Sequence, residues 1–229
     1  RGETFTLIDP AADVTSEVVR QVGDAAVSEI FITHFHGENV EGAVNFPDAA
    51  LRVPAGDEYL SAGEEAYRAA PRQWAEPWDW ETRGNFQGDV AGALNERPTR
   101  EPVQLAAALQ PGERGEDYRV VATPGHGKHA VSIIAKVADK TIAFCADVVH
   151  GDGQLWNWFD SEWDYGLQTG QRTLLESARR LAEQPLDLLC PTHGPMIDDP
   201  KSALGRLAGR LAAILDASGD PAPTCDDQP

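Results

Sequence analysis

The sequence predicts an α/β fold, because short β-rich runs alternate with longer segments of helical periodicity. In chain order, the first elements are a strand in TFTLIDP, a helix in VTSEVVRQV, a strand in SEIFIT, a turn and helix from Gly37, and a strand in AALRVP. Two further observations agree with this class. All six histidines fall at the ends of predicted strands, where α/β proteins carry functional loops. No apolar run approaches the roughly 18 residues of a membrane span.

The second half of the chain continues this alternation. Four strands are predicted in YRVVAT, AVSIIAKV, KTIAFCAD and LDLLCPT, with a hairpin turn at Ala138 and Asp139. Helices are predicted over about residues 167–183 and 201–217. An apolar stripe predicts that the second helix faces the core; its members are Leu204, Leu207, Leu211, Ile214 and Leu215.

We interpret residues 1–218 as a single domain. The polar, weakly periodic segment at about 57–110 is predicted to be an insertion on it, and residues 219–229 have the composition of a disordered tail. Cys145 and Cys190 lie in apolar runs and are predicted to be buried thiols. Three unevenly spaced cysteines form neither a disulfide framework nor a cysteine-type zinc site.

The acidic charge balance limits the partners. The chain has 37 acidic and 19 basic residues, a net charge of −18, so its field repels a phosphate backbone. We therefore expect a small-molecule substrate, with neither nucleic acid nor a membrane as a partner. No signal-peptide pattern is present, and we expect a soluble, cytoplasmic protein. The chain starts at Arg1 just before a strand, so we also expect upstream sequence to precede it.

A histidine pair after the SEIFIT run is the first candidate for a metal site. In an extended backbone, His34 and His36 lie on the same face with Cα atoms roughly 7 Å apart, so both imidazoles can turn onto one ion. A third neutral nitrogen and a carboxylate would complete a tetrahedral set. His126 in TPGHGKH and Asp147 in FCADVVH, both after predicted strands, can supply them.

Taken in order, these motifs resemble those of the metallo-β-lactamase-fold superfamily. The family has an aspartate after the first strands, then HxHxDH, a TPGH-type turn, an aspartate ending a strand, and a PxHG-type histidine. The corresponding stretches here are Asp9 in LIDP, HFHGEN, TPGH at His126, FCAD at Asp147 and PTHG at His193. The flank ENVEGAVNF also resembles the family's helix start, and the similarity runs from about residue 5 to residue 195.

This resemblance implies both a fold and a ligand set. The implied fold is a four-layer αβ/βα sandwich with the metals at the edge between two sheets. The family usually has a further strand hairpin before the LIDP segment, for which this sequence has no room, so we expect either that the sequence is a fragment or that this sheet edge is formed differently. His34, His36 and His126 would bind the first metal, Asp147 would bridge, and His193 would belong to the second metal. Zinc is the expected cation, with iron or manganese as alternatives.

The chain departs from the family in the second-metal half of the motif, where Glu38 and Asn39 replace aspartate and histidine. The longer glutamate displaces its carboxylate, and an amide oxygen is a poor zinc ligand. We therefore expect one firmly bound metal and a weakened second site. Glu38, Asp147 and His193 are the candidate catalytic residues, with Glu38 as general base. The alternative is that Glu38 and Asn39 cap the helix from Gly37.

Other residues are candidates for the pocket. His129 and His150 each lie three residues beyond a proposed ligand, and either would replace the missing ligand or line the pocket. Trp156 and Trp158 belong to one of two tryptophan-rich segments, which form an aromatic wall over the metal or pack on each other as a satellite core. Asn39 is the remaining pocket candidate.

The function predicted by these features is that of a metal-dependent hydrolase. Metal-bound hydroxide would attack an ester, thioester or amide-type bond. One alternative is a single-iron oxidoreductase acting on sulfur substrates, as found among relatives in the same superfamily. The other is a non-catalytic binding protein that is stabilised by its metal.

Overall fold

The computed structural model divides the chain into two compact units, Arg1–Gln110 and Pro111–Pro229, which we call the N-terminal and C-terminal units. The described residues are 4–11, 15–22, 26–34, 39–40, 42–61, 63, 102–155 and 169–219. None of the helices among them is long and apolar enough to cross a membrane. A single domain over residues 1–218 stays a prediction. The proposed tail, from residue 220 onward, and most of the proposed insertion lie outside the described residues.

A three-stranded parallel sheet forms the frame of the N-terminal unit. Its strands are β1 (Thr4–Ile8), β2 (Ala26–Phe31) and β3 (Ala50–Arg52), in the order β1-β2-β3, and α1 (Thr15–Val22) connects the first two. Ile30, Phe31 and Ile32 at the end of the central strand are buried, which is typical of a parallel strand. Short 3₁₀ turns follow at Gly42–Asn45 and Glu58–Ser61.

The C-terminal unit contains a four-stranded mixed sheet and two long helices. Its elements are β4 (Tyr118–Ala122), β5 (Val131–Val137), β6 (Lys140–Phe144), α2 (Thr169–Ala182), β7 (Leu188–Cys190) and α3 (Pro200–Ala217). The strands lie in the order β4-β5-β6-β7. The first two pairs are antiparallel and the last is parallel. The predicted hairpin turn joins β5 to β6, with Ala138 at a φ of 56°.

The predicted strands and long helices are present, and the predicted α/β class is confirmed. The apolar stripe of α3 is buried in a core shared with α2 and the sheet; its buried leucines are Leu204, Leu207, Leu211 and Leu215. Two details of the prediction were wrong. Ile214 is 45% exposed, because it lies at the rim of the stripe and not on the face that packs. Cys190 is half-buried, whereas Cys145 is buried as predicted.

Candidate metal centre

The sheet of the C-terminal unit brings four candidate residues to one edge. β4 and β6 are each antiparallel to β5, and β6 is parallel to β7, so β4, β6 and β7 all end at the same edge. His126 follows β4, Asp147 and His150 follow β6, and His193 follows β7. Residues far apart in the chain therefore meet because three strands run in the same direction.

Asp147 lies at the centre of this group, with its side chain fully buried. Its Oδ2 lies 3.4 Å from Nε2 of His126 and 3.8 Å from Nε2 of His193. Its Oδ1 lies 3.6 Å from Nε2 of His150. We call these four residues the carboxylate cluster. Because a buried carboxylate is costly without compensating positive charge, the cluster favours a bound cation or protonated histidines.

The backbone that carries Asp147 is tied to the neighbouring strand. The Cys145 N–H donates to the carbonyl oxygen of Cys190 at 2.9 Å, and the Thr192 N–H donates to that of Ala146 at 3.1 Å. These bonds continue the pairing of β6 with β7 beyond the strand ends. Ala146 has a φ of 52°, a left-handed conformation that is uncommon for a residue with a Cβ and that concentrates at functional sites.

Packing on α2 positions His126. Gly125 has a φ of 130°, and a Cβ at this position would lie 2.5 Å from the Cα of Leu174. The hydroxyl of Ser177, also on α2, donates to the carbonyl oxygen of Pro124 at 2.7 Å. Because Gly125 allows the loop backbone to lie directly on the helix, His126 is buried in a defined place beside Asp147.

The ligand types of the carboxylate cluster, and the separation of His126 from Asp147, suit a cation. The three nitrogen–oxygen separations, 3.4 to 3.8 Å, exceed a normal N–H···O hydrogen bond. Two ligand atoms of a tetrahedral zinc ion, each bound at roughly 2.0–2.1 Å, lie about 3.3 Å apart. Imidazole and carboxylate are also the ligand types that zinc and iron accept. The donor set is therefore suited to a transition-metal ion.

The thiol of Cys145, next to the carboxylate cluster, is unreactive at neutral pH. Burial raises the pKa of Cys145 above the ordinary cysteine value, and the negative charge of Asp147 and the nearby Cys190 raise it further. The thiol therefore stays protonated at neutral pH, and it contributes apolar packing beside the carboxylate cluster.

In the N-terminal unit, His34 is held by a chain of hydrogen-bonded side chains. The Thr33 hydroxyl donates to Oδ2 of Asp9 at 2.6 Å, and the Thr33 N–H donates to Oδ1 at 2.8 Å. Thr33 Oγ1 also lies 2.8 Å from Nδ1 of His34. Because the single hydroxyl proton goes to the carboxylate, Oγ1 accepts from Nδ1–H, and the lone pair of His34 is on Nε2. This is the tautomer of a histidine that binds a metal through Nε2.

Asn39 lies against the same imidazole. Its side chain is buried, and its Nδ2 is 3.3 Å from both ring nitrogens of His34. With the proton on Nδ1, only Nε2 can accept from this amide. Asn39 therefore lies beside Nε2 of His34, and its role as a pocket residue stays a prediction.

Several predicted site residues lie outside the described part of the chain. They are His36, Glu38, Trp156 and Trp158, and their roles stay predictions. His129 is half-buried in the loop that carries His126. The role of Thr33 was missed, although a threonine between an apolar run and the first histidine was a visible signal.

A comparison with known protein families agrees with the motifs. The family model described as the metallo-beta-lactamase superfamily matches residues 1–193. No curated protein matches the chain.

Solved structures share the fold at low sequence identity. The metallo-beta-lactamase family protein TTHA1429 from Thermus thermophilus is 20% identical with a TM-score of 0.63, over 92% of this chain and 71% of that one. TTHA1623, in a di-iron-bound form, is 21% identical with a TM-score of 0.55, over 89% and 86%. The BLEG-1 B3 metallo-beta-lactamase is 17% identical with a TM-score of 0.55, over 86% and 85%. These likenesses show the fold alone, and with the family match over residues 1–193 they lead to one conclusion: the chain belongs to the metallo-β-lactamase superfamily.

Proposed function

We propose that the chain is a metal-dependent hydrolase that cleaves an ester, thioester or amide-type bond in a small molecule. The carboxylate cluster carries the proposal, since three histidine Nε2 atoms lie within 3.8 Å of one buried carboxylate. Membership of the superfamily supports it, because members of the superfamily are largely metal-dependent hydrolases. One structural neighbour is named as the hydrolase AbOPH.

His34, His36, His126 and Asp147 are the proposed ligands of one firmly bound cation. The short separation of His126 from Asp147 supports the second half of this set. The contact with Thr33 supports His34 as a ligand, because it places the proton of the ring on Nδ1 and the lone pair on Nε2. His34 is also among the buried residues able to offer a ligand atom. His36 is included because it matches the second histidine of the family's HxHxDH motif. We propose zinc as the cation, with iron or manganese as alternatives, since one structural neighbour was solved with two irons.

Asp147, His193 and Glu38 are the residues with a proposed catalytic task. A bound cation would polarise a substrate carbonyl and lower the pKa of a water molecule. The buried carboxylate of Asp147 would stabilise the positive charge of the cation. His193 is the member that solvent reaches, because its side chain is 27% exposed, against 5% for His126 and 8% for His150. We assign His193 to contact with the substrate and proton transfer to the leaving group, and Glu38 to proton acceptance.

The charge of the protein narrows the proposed substrates. At a net charge of −18, the chain repels polyanions, which disfavours RNA and DNA as substrates. Neutral or cationic small molecules are therefore the substrates to test first.

Metal analysis of the purified protein, combined with a panel of chromogenic esters, thioesters and amides, tests the proposal. We expect about one zinc per chain, and hydrolysis that stops on chelation and returns when zinc is added. His126→Ala should lose both metal and hydrolysis, whereas His129→Ala, in the same loop, should keep the metal. Iron together with oxygen uptake on thiols or persulfides would favour the oxidoreductase instead. A chain that holds no metal and hydrolyses nothing would overturn the proposal.

A further inference from the structure

The loop at residues 150–154, which follows β6, closes on itself and packs directly on α3. The backbones of His150 and Gln154 pair in both directions, at 2.8 and 2.9 Å. Between them, Gly153 has a φ of 70°, and a Cβ at this position would lie 2.5 Å from the carbonyl oxygen of Ala203 on the helix. Because only glycine allows such a close approach, the loop has a defined position on α3.

Two arginines of α3 hold this loop by its polar groups. Nη1 of Arg210 donates to the carbonyl oxygen of Asp152 at 3.2 Å and to that of Gly153 at 2.6 Å. Arg206, one turn earlier in the helix, forms an ion pair with the carboxylate of Asp152. A guanidinium presents several N–H donors in one plane, so one arginine can bind two neighbouring carbonyl oxygens. We call Arg206 and Arg210 the arginine clamp.

The arginine clamp is distinct from the packing that holds α3 on its unit. The helix is anchored by its buried leucines, which are Leu204, Leu207, Leu211 and Leu215. The ion pair of the clamp is largely exposed, at 43% for Arg206 and 68% for Asp152, and such a pair adds little to the stability of a fold. Loss of the clamp should therefore release the loop and leave the fold intact.

The clamped loop begins at a histidine that touches His193. Nδ1 of His150 lies 3.1 Å from the carbonyl oxygen of His193, and a carbonyl oxygen only accepts, so Nδ1 donates. The two imidazoles are stacked, with centroids 5.9 Å apart and planes 23° apart. The side chain of His150 is 8% exposed, against 27% for His193. The buried ring therefore supports both the backbone and the imidazole of the exposed one.

We propose that Arg210, together with Arg206, is a positioning residue for His193. By fixing the loop, the clamp holds His150 against His193 and sets the direction in which the His193 imidazole meets the substrate. The inference rests on the proposed function, in which Nε2 of His193 gives its proton to the leaving-group atom as the bond from that atom to the carbonyl carbon breaks. Both arginines lie beyond the last of the sequence motifs, PTHG at His193.

The leaving group of the substrate separates positioning from general structural support. Arg210→Met keeps an apolar stem and removes the donors. Of two test substrates, benzyl butanoate needs a proton on its leaving oxygen, whereas 4-nitrophenyl butanoate releases a stable phenolate without one. We expect kcat/KM to fall by about 10- to 100-fold for the benzyl ester and to stay unchanged for the nitrophenyl ester, at unchanged metal content. Equal losses on both esters, or loss of the metal, would overturn the proposal.

Proton exchange followed by NMR tests the same role without activity. The Nδ1 proton of His150, assigned by its absence in His150→Asn, should exchange with water about 10-fold faster or more in Arg210→Met, because an opening loop breaks its bond to the His193 carbonyl. Arg20→Met is the matched control, since it removes an ion-paired arginine of α1 and should change neither exchange nor kinetics. Equal exchange in Arg210→Met and the wild type would overturn the proposal, as would a wild-type proton that exchanges too fast to observe.

The two proposals fail in different ways. If the wild type hydrolyses no member of the wider ester, thioester and amide panel, the proposed function is overturned, and faster exchange in Arg210→Met still shows that Arg210 holds His150. If the wild type hydrolyses the panel but neither butanoate ester, the exchange measurement alone decides the role of Arg210. If both esters are hydrolysed and the exchange rates are equal, the positioning role is overturned and the proposed function stands.

Discussion

Two histidines that we propose as ligands are positioned by different means in the two units. His34 depends on polar side chains, through Thr33 to the carboxylate of Asp9. His126 depends on the backbone, because Gly125 packs directly on α2. A relay of hydrogen bonds can be cut while the core stays intact, whereas a backbone contact cannot be altered without moving a helix. Substitutions should therefore change metal affinity at the first histidine and overall stability at the second.

The largest effect is expected for substitution of Asp147, the buried carboxylate of the C-terminal unit. Asp147→Asn keeps the shape of the side chain and removes its charge, so we expect metal content to fall to about a tenth or less and turnover to fall by at least about 10³-fold. When both proteins are compared without metal, the stability of the variant should equal or exceed that of the wild type, since a buried charge is removed. Elemental analysis, kinetics and thermal melting measure the three quantities.

Asp152→Asn is the matched control, because Asp152 is 68% exposed and pairs with Arg206 on the surface. It should keep the metal and the turnover. Full metal retention in Asp147→Asn would mean that Asp147 is not a ligand.

The next largest effect is expected when the contact between the Gly125 backbone and α2 is disturbed. Gly125→Ala introduces a Cβ that would lie 2.5 Å from the Cα of Leu174 on a backbone with a φ of 130°, so the free energy of unfolding should fall by about 3 kcal/mol or more. Gly112→Ala is the matched control, since Gly112 has a φ of 87° and no atom within 4 Å of the added Cβ. It should cost only about 1 kcal/mol. Urea unfolding measures both, and equal losses would show that the contact with α2 is not the cause.

A smaller effect is expected when the hydrogen bonds that hold His34 in the N-terminal unit are broken at Thr33. Thr33→Val keeps the side-chain shape and removes the hydroxyl that fixes the His34 tautomer, so metal affinity should fall about 10- to 100-fold. The free energy of unfolding should fall by no more than about 2 kcal/mol. Thr33→Ser keeps the hydroxyl and should stay close to the wild type in a zinc competition titration. Equal affinities for the valine and serine variants would mean that Asp9 and Thr33 do not position the ligand.

The sequence indicated the candidate site residues, but not the contacts that hold them in place. Strand ends and the HxH spacing are local patterns, so His34, His126 and Asp147 were visible without a structure. The support of His34 joins Thr33 to a carboxylate 24 residues earlier, and Nδ1 of His150 lies 3.1 Å from the carbonyl oxygen of His193, 43 residues later. Such pairings arise only from the sheet register and the loop conformations, which composition and periodicity do not specify.

The smallest effect concerns the thiol that supports the carboxylate cluster. Burial raises the pKa of Cys145, so the folded protein keeps this proton while the unfolded chain loses it above the ordinary value of about 8.5. The stabilising contribution is therefore fully present below about pH 8.5 and is lost as the pH rises. Between pH 8.5 and 9.5 the wild type should lose about 1 kcal/mol more than Cys145→Ala in urea unfolding. Parallel pH profiles for the two proteins would mean that the thiol ionises in the folded state, and that the surroundings of Asp147 are less apolar than its burial indicates.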